Sequence, residues 1–249
     1  MIVDALVYVG DCLFGGGRGL SALLAEAAGA GVDCVVAAPA KPRDYDLAAA
    51  SLLLADECQA SDGAAVCLAR LDPWQDDAPE RLAVLLEHPG VRGLLLHPWE
   101  ETFPANHERA LALAVQAAAA GRPVVVEAGH PLLAEALSLA DLARGVEGTV
   151  VMTRGGQVNL AGLAQQSADL ALEAAPNLCA LTAGMYRQDW LEGCVRRFGS
   201  SRLLLGSCAP VFDLGYEAER PRRAAMGEAE RAAVMGGNAT VLFGLTTGD

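Results

Sequence analysis

The sequence predicts an α/β fold, a (β/α)8 TIM barrel, on three observations. Short apolar runs alternate regularly with segments of helical period along the whole chain. Each run is apolar nearly throughout, as in parallel sheets whose strands are covered by helices on one face and packed on the other. Eight such units in 249 residues match the roughly 250 residues of a closed barrel better than an open doubly wound sheet.

The elements follow in order. Residues 2–9 are the first strand, followed by a glycine loop and a helix over 20–30. Strand two covers 32–38 and an Ala/Leu-rich helix covers 45–58. Strand three, 64–71, is stopped by Asp72-Pro73, and a helix over 79–87 follows. Strand four, 91–96, ends at His97-Pro98. A helix over 108–120 stops at Gly121 before strand five, 123–127. The spacing then predicts helix 132–143, a short strand 149–152, helix 163–174 and strand 178–181. Helix 190–198 is ended by Gly199, a helix C-cap signal, and strand eight covers 203–206. A helix over 227–234 and a turn over 238–243 complete the ring. The mixed charges of 217–231 read as a solvated face. No linker or low-complexity segment interrupts the rhythm, so residues 1–249 read as one domain.

Composition narrows the function. Apolar residues make up 53% and aromatic residues 5%, so the core is built from Ala, Leu and Val. A formal charge of -13 argues against nucleic acid, whose phosphates need a basic face, and against anionic membrane surfaces. Lys41 is the sole lysine, so Schiff-base chemistry would start there, and no Walker-type Gly-Lys-Ser/Thr occurs. Seven cysteines, without a Cys-x-x-Cys and mostly inside apolar runs, read as reduced buried thiols. The chain starts directly with a strand-like run carrying Asp4, lacks a basic leader and has no apolar run of about 20 residues. A cytoplasmic location is the expectation.

In a barrel of this kind chemistry belongs at the C-terminal ends of the strands. The residues there are Leu6, Tyr8, Arg70, His97, Glu127, Thr153, Arg154 and Cys208. At these ends the sequence resembles the amidohydrolase-related family. Asp4-Ala5-Leu6-Val7-Tyr8-Val9-Gly10 is similar to its opening Asp-Ala-His-Val-His-Leu-Gly strand. Gly90-Val91-Arg92-Gly93-Leu94-Leu95-Leu96-His97-Pro98 resembles its fourth strand, and 121–131 the segment in which a histidine ends strand five. Leu203-Leu204-Leu205-Gly206-Ser207-Cys208-Ala209-Pro210 looks like Leu-Phe-Gly-Ser-Asp-x-Pro of strand eight. Gly237-Asn238-Ala239-Thr240-Val241-Leu242-Phe243-Gly244-Leu245 is similar to the closing Gly-Asn-Ala-x-x-Leu-x-Gly-Leu.

The resemblance implies a divalent metal held by five side chains, and the departures fall on those positions. The His-x-His pair of strand one, spaced so that both rings face the same side, is Leu6 and Tyr8 here. The strand-five histidine is Glu127. The strand-six histidine falls at Thr153, or one residue on at Arg154. The strand-eight aspartate is Cys208. Glu127 and Cys208, helped by His97 or His130, could still hold a metal, yet Leu6 offers no lone pair. Without a metal, nothing obvious lowers the pKa of a water from about 15.7 towards about 7. The expectation is no metal and no cofactor.

The remaining polar residues support alternatives. Glu127, Tyr8 and Cys208 are candidate catalytic groups. Arg70, His97, His130 and Arg154 are candidate substrate-binding groups. Arg70 either clamps a carboxylate or pairs internally with Asp72, Glu127 or Asp4. His130 either forms a general-base couple with Glu127 or caps the next helix. Cys208 is a nucleophile only if a base or positive charge lowers its pKa. Gly15-Gly16-Gly17-Arg18-Gly19 reads as a flap over the mouth.

Three functions are compatible with these residues. The first, favoured by Leu6, is a pseudoenzyme acting as a structural or regulatory subunit, in a homo-oligomer or beside an active paralogue. It predicts a filled mouth. The second is a metal-independent hydrolase, lactonase or isomerase of a small carboxylate, for which metal-free members of the superfamily give a precedent. It predicts an open pocket with arginines. The third binds a small anionic ligand without turnover.

Overall fold

The computed structural model describes residues 1–13, 16–156, 163–185 and 187–245. Eight parallel strands alternate with helices. The order begins β1 (Val3–Val9), α1 (Leu20–Gly29), β2 (Cys34–Pro39), α2 (Leu47–Gln59), β3 (Ala65–Arg70), α3 (Ala78–Glu87) and β4 (Val91–Leu96). It continues with α4 (Pro98–Glu101), α5 (Glu108–Ala119), β5 (Val124–Val126), α6 (Ala136–Arg144), β6 (Val150–Met152) and α7 (Leu163–Ala174). The last elements are β7 (Leu178–Leu181), α8 (Gln188–Phe198), β8 (Leu203–Leu204), α9 (Leu214–Arg223), α10 (Glu228–Ala232) and α11 (Asn238–Phe243).

The strands pair in sequence order from β1 to β8. The seam between first and last strands is closed by backbone bonds: Ala5 N–H to Leu205 O at 2.8 Å, Tyr8 N–H to Ala209 O at 2.6 Å and Cys208 N–H to Leu6 O at 2.8 Å. The predicted barrel is therefore present.

Two cores follow from strand alternation. Val36, Leu68, Leu95, Val125, Val151, Leu181 and Leu204 fill the barrel interior with Leu6 and Ala5. Val35, Leu94, Leu96, Val124 and Val126 face outward and pack against helix residues such as Leu82, Leu113 and Leu139. On β1, β3, β4 and β5 an inward residue, Leu6, Leu68, Leu95 or Val125, is followed two positions later by a side chain at the mouth.

The helices differ from expectation. Residues 238–243, expected as a turn, form the helix α11. The helix expected from residue 132 starts at Ala136. His130 Nδ1 instead accepts the N–H groups of Leu132 and Leu133 at 3.3 and 3.2 Å, which holds a turn there. Glu135, not His130, caps α6 by accepting the N–H of Leu137 at 2.9 Å. The segment expected to be a solvated charged face contains α9, of which Leu214, Glu217, Ala218 and Pro221 are buried. Its charges have specific partners. Arg220 Nη1 lies 3.3 Å from Glu217 Oε2, and Arg220 also donates to the Met185 carbonyl. Arg222 donates to the Ala30 carbonyl at the end of α1, at 2.7 Å. Burial with the charges matched in this way is tolerated.

Candidate active site at the barrel mouth

The period of two carries side chains from β1, β3, β4 and β5 to the same opening. Leu6, Leu68, Leu95 and Val125 face the barrel interior, so Tyr8, Arg70, His97 and Glu127, two residues on, stand above them. There Tyr8, Lys41, Arg70, His97, Trp99 and Arg154 line a cavity of about 280 Å³, with Gly16 and Gly17 on its rim. Gly15, part of the expected flap, lies outside the described residues.

Glu127 is the centre of the first group. It is 3% exposed. Tyr8 Oη donates to Glu127 Oε2 at 2.8 Å, and Arg154 Nη2 lies 2.5 Å from Glu127 Oε1. That second contact is an ion pair. Burial, with the charge of Glu127 added, pushes the Tyr8 phenol well above its ordinary value, so it remains a neutral donor. Burial opposes the Arg154 charge, but the adjoining Glu127 carboxylate more than offsets it and holds the guanidinium protonated.

Arg154 gets there by an unusual backbone. It is a non-glycine residue at φ 53°, ψ 28°, followed by Gly155 at φ 58°. Thr153, the first candidate for the strand-six position, is fully buried, and its hydroxyl accepts the Ala128 N–H at 2.9 Å. The left-handed step after Thr153 carries Arg154, rather than Thr153, to Glu127.

The second group surrounds Arg70. Its Nη2 donates to Glu100 Oε2 at 2.5 Å and Glu101 Oε1 at 2.8 Å, and its Nη1 donates to the Pro39 carbonyl at 3.1 Å. The internal pairing expected for Arg70 is thus present with different partners: two glutamates of α4 in place of Asp72, Glu127 or Asp4. Lys41 Nζ lies 3.7 Å from Glu101 Oε1 and donates to the Glu100 carbonyl. Burial works against the Arg70 charge, and the two glutamates outweigh it. Burial also raises the Glu101 carboxyl to about 6, with Arg70 and Lys41 pulling the other way.

His97 is 5% exposed. Burial, then the positive charges of Arg70 and Arg154, push its pKa well below the ordinary value, so the ring is neutral. Its Nδ1 accepts the Glu100 N–H at 3.2 Å and caps α4. His130 stacks on Trp99, ring centroids 4.6 Å apart. The Glu127–His130 couple considered from sequence does not form, because Nδ1 of His130 serves its own turn while Glu127 is held by Tyr8 and Arg154. Cys208 is fully buried. Burial and the charge of Glu127 push its thiol well above the ordinary range, with Arg154 only partly opposing them.

Lys41, Trp99, Glu100 and Glu101 were not singled out as site residues from sequence. Their signal is local: His97-Pro98-Trp99-Glu100 has a capping residue, proline at the first helical position and an acidic first turn.

The donors at the family's metal positions do not fit a divalent ion. Leu6 has no lone pair, the Tyr8 hydroxyl is engaged as a hydrogen-bond donor to Glu127, the Cys208 thiol is kept protonated, and Arg154 places a positive charge against Glu127. Among the described residues no three His, Cys, Asp or Glu side chains converge as a ligand set.

A barrel with a charged, partly enclosed mouth at its strand ends defines the class. Residues 17–245 match the family model described as Amidohydrolase, and the chain belongs to that family. A search of curated proteins finds no match to this sequence.

Among solved structures, the fold is similar to a putative 2-pyrone-4,6-dicarboxylic acid hydrolase from Pseudomonas putida (16% identity, 99% of this chain and 98% of that one, TM-score 0.77). It is also similar to a probable 2-pyrone-4,6-dicarboxylic acid hydrolase from Acinetobacter baumannii with citric acid bound (13%, 98% and 99%, 0.76). A third is a dihydroxybenzoic acid decarboxylase from Polaromonas sp. JS666 with bound manganese and an inhibitor, 2-nitroresorcinol (13%, 99% and 98%, 0.76). Among the described residues, no helix is long and apolar enough to cross a membrane.

Proposed function

We propose that this protein binds a small carboxylate in the barrel mouth and acts on it without a metal, as a lactonase, related hydrolase or isomerase. The observation that carries the reading is one cavity lined by Lys41, Arg70 and Arg154 beside a Tyr8–Glu127 hydrogen bond of 2.8 Å. The filled mouth expected of a pseudoenzyme is at odds with a cavity of about 280 Å³. The neighbours named for carboxylic acids support the substrate class.

The proton path follows from the geometry. Tyr8 directs its hydrogen at Glu127, so the remaining lone pair of its oxygen is available to a water or substrate hydroxyl. As that group gives a proton to Tyr8, Tyr8 passes its own to Glu127. With a lactone, the water oxygen bonds to the carbonyl carbon, the ring C–O bond breaks, and the proton on Glu127 returns through Tyr8 to the ring oxygen. Arg154, in contact with Glu127, balances the negative charge throughout. Cys208 has no role in this path, being sealed and protonated.

Carboxylated lactones followed by ultraviolet absorbance in excess chelator test the reading. Turnover should persist with chelator and fall about 10²–10⁴-fold in Tyr8→Phe, the usual loss with one acid–base group. Turnover that chelator abolishes, or that Tyr8→Phe leaves intact, overturns it.

A specific observation also favours the subunit reading: Leu6 is fully buried at a former ligand position, and the cavity cations already have internal partners. That reading expects no carboxylate binding, together with self-association in sedimentation velocity.

A further inference from the structure

Arg70 has more donor capacity than its partners use. Its side chain is 1% exposed, its Nε has no hydrogen-bond partner, and yet it lines the mouth cavity. The two carboxylates on its Nη2 are not equivalent. Glu101 is 1% exposed and also faces Lys41 at 3.7 Å. Glu100 is 15% exposed, borders the cavity and sits on the four-residue helix α4.

The charges of this cluster cancel. Arg70 and Lys41 supply two positive charges, Glu100 and Glu101 two negative ones, and His97 is neutral. With Glu100 removed from Arg70, one positive charge is left facing the cavity, which suits one carboxylate group.

We propose that Arg70 is the subsite for the ligand's carboxylate, and that Glu100 holds this place in the free protein and leaves when the ligand arrives. The inference rests on the carboxylate reading above and assigns the ligand's acid group to one residue. Arg70 presents a planar fork that matches a carboxylate, and Lys41 lines the same cavity. Glu101, deeper and shared with Lys41, remains and holds the fork in orientation.

A tethered carboxylate on Arg70 acts as a competitor at high local concentration. A ligand's apparent affinity falls by the fraction of molecules in which Arg70 is free. If Glu100 occupies Arg70 in about nine molecules of ten, that fraction costs about tenfold. The arrangement also selects for charge, because a neutral amide has nothing to exchange for the Glu100 carboxylate.

The test is calorimetric titration of benzoate, citrate and benzamide into the full-length protein and its Glu100→Gln and Glu100→Ala variants, at neutral pH and fixed low salt. Both variants should bind the carboxylates about tenfold more tightly than the wild type, with benzamide unaffected. Unchanged or weaker carboxylate binding in the variants, while the wild type binds, overturns the Glu100 exchange and leaves the carboxylate reading intact. No carboxylate binding in any of the three proteins removes both. Urea unfolding checks that the variants fold. If both fail to fold, Glu100 is a structural brace for Arg70, and the exchange is overturned.

Discussion

Replacing Asp4 by Asn tests the electrostatics of the barrel seam. Asp4 is 1% exposed, and its Oδ1 accepts the N–H groups of Leu6 at 3.1 Å and Ser207 at 2.8 Å. Burial raises its carboxyl from the ordinary 3.8 to about 6, against the hydrogen bonds from Ser207 and Leu6 and with a small push from Glu217. The folded state therefore binds this proton more tightly than the unfolded state. Its contribution to stability is complete below about pH 4 and is lost as pH rises through about 6. The span between the two values corresponds to about 3 kcal/mol. Asparagine keeps the accepting oxygen and carries no charge. Urea unfolding of both proteins across this pH range isolates the term, because every other titration is common to the two. The free-energy difference should grow in favour of Asn by about 3 kcal/mol between about pH 4 and about pH 7. Parallel curves would refute the assignment of a proton-binding carboxyl to the seam.

Two further predictions concern packing. Gly155→Ala puts a Cβ at φ 58° within 2.8 Å of Met185 Sδ and 2.9 Å of Trp190 Cζ3. Left-handed strain of about 1–2 kcal/mol and overpacking of about 1–3 kcal/mol should appear together as a lower urea midpoint, and an unchanged midpoint would contradict the turn that carries Arg154. Of the seven cysteines, Cys34, Cys58, Cys67, Cys194 and Cys208 are buried, while Cys12 and Cys179 are partly exposed. Ellman's reagent should therefore modify rapidly at most these two in the native protein and all seven in denaturant, and fast native labelling of Cys208 would contradict its burial.

Much of the site was legible from alternation. Tyr8, Arg70, His97 and Glu127 each follow an inward strand residue by two positions, and a period of two needs no long-range information. The exception is instructive. After β6 that rule selects Thr153, whereas a left-handed backbone selects Arg154, and the Gly155-Gly156 pair is the one local hint of such a turn. Pairing between elements was not legible. Arg70 meets Glu100 and Glu101 across 30 and 31 residues, and a sequence offers several acids at comparable separations. Glu217 misled for a related reason: a charged helix reads as solvated until its arginines are seen to reach Met185 and Ala30. The fold was easier because it depends on repeated local rhythm, while the site depends on which distant loops meet.

The seam has a consequence for how the chain acquires its structure. Asp4 and Ser207 are separated by 203 residues, and Tyr8 and Glu127 by 119. As the chain is synthesised, β1 has an unpaired edge until strand eight leaves the ribosome, and that edge runs along an apolar strand. Unpaired edges invite pairing with other chains, and contacts of such sequence separation form slowly. The cavity is incomplete in a partial product, because Pro210 and Val211 form part of its wall. A molecule interrupted before residue 203 has two open flanks and no mouth, so sheltering of the nascent chain and assembly of the site are completed by the same late event.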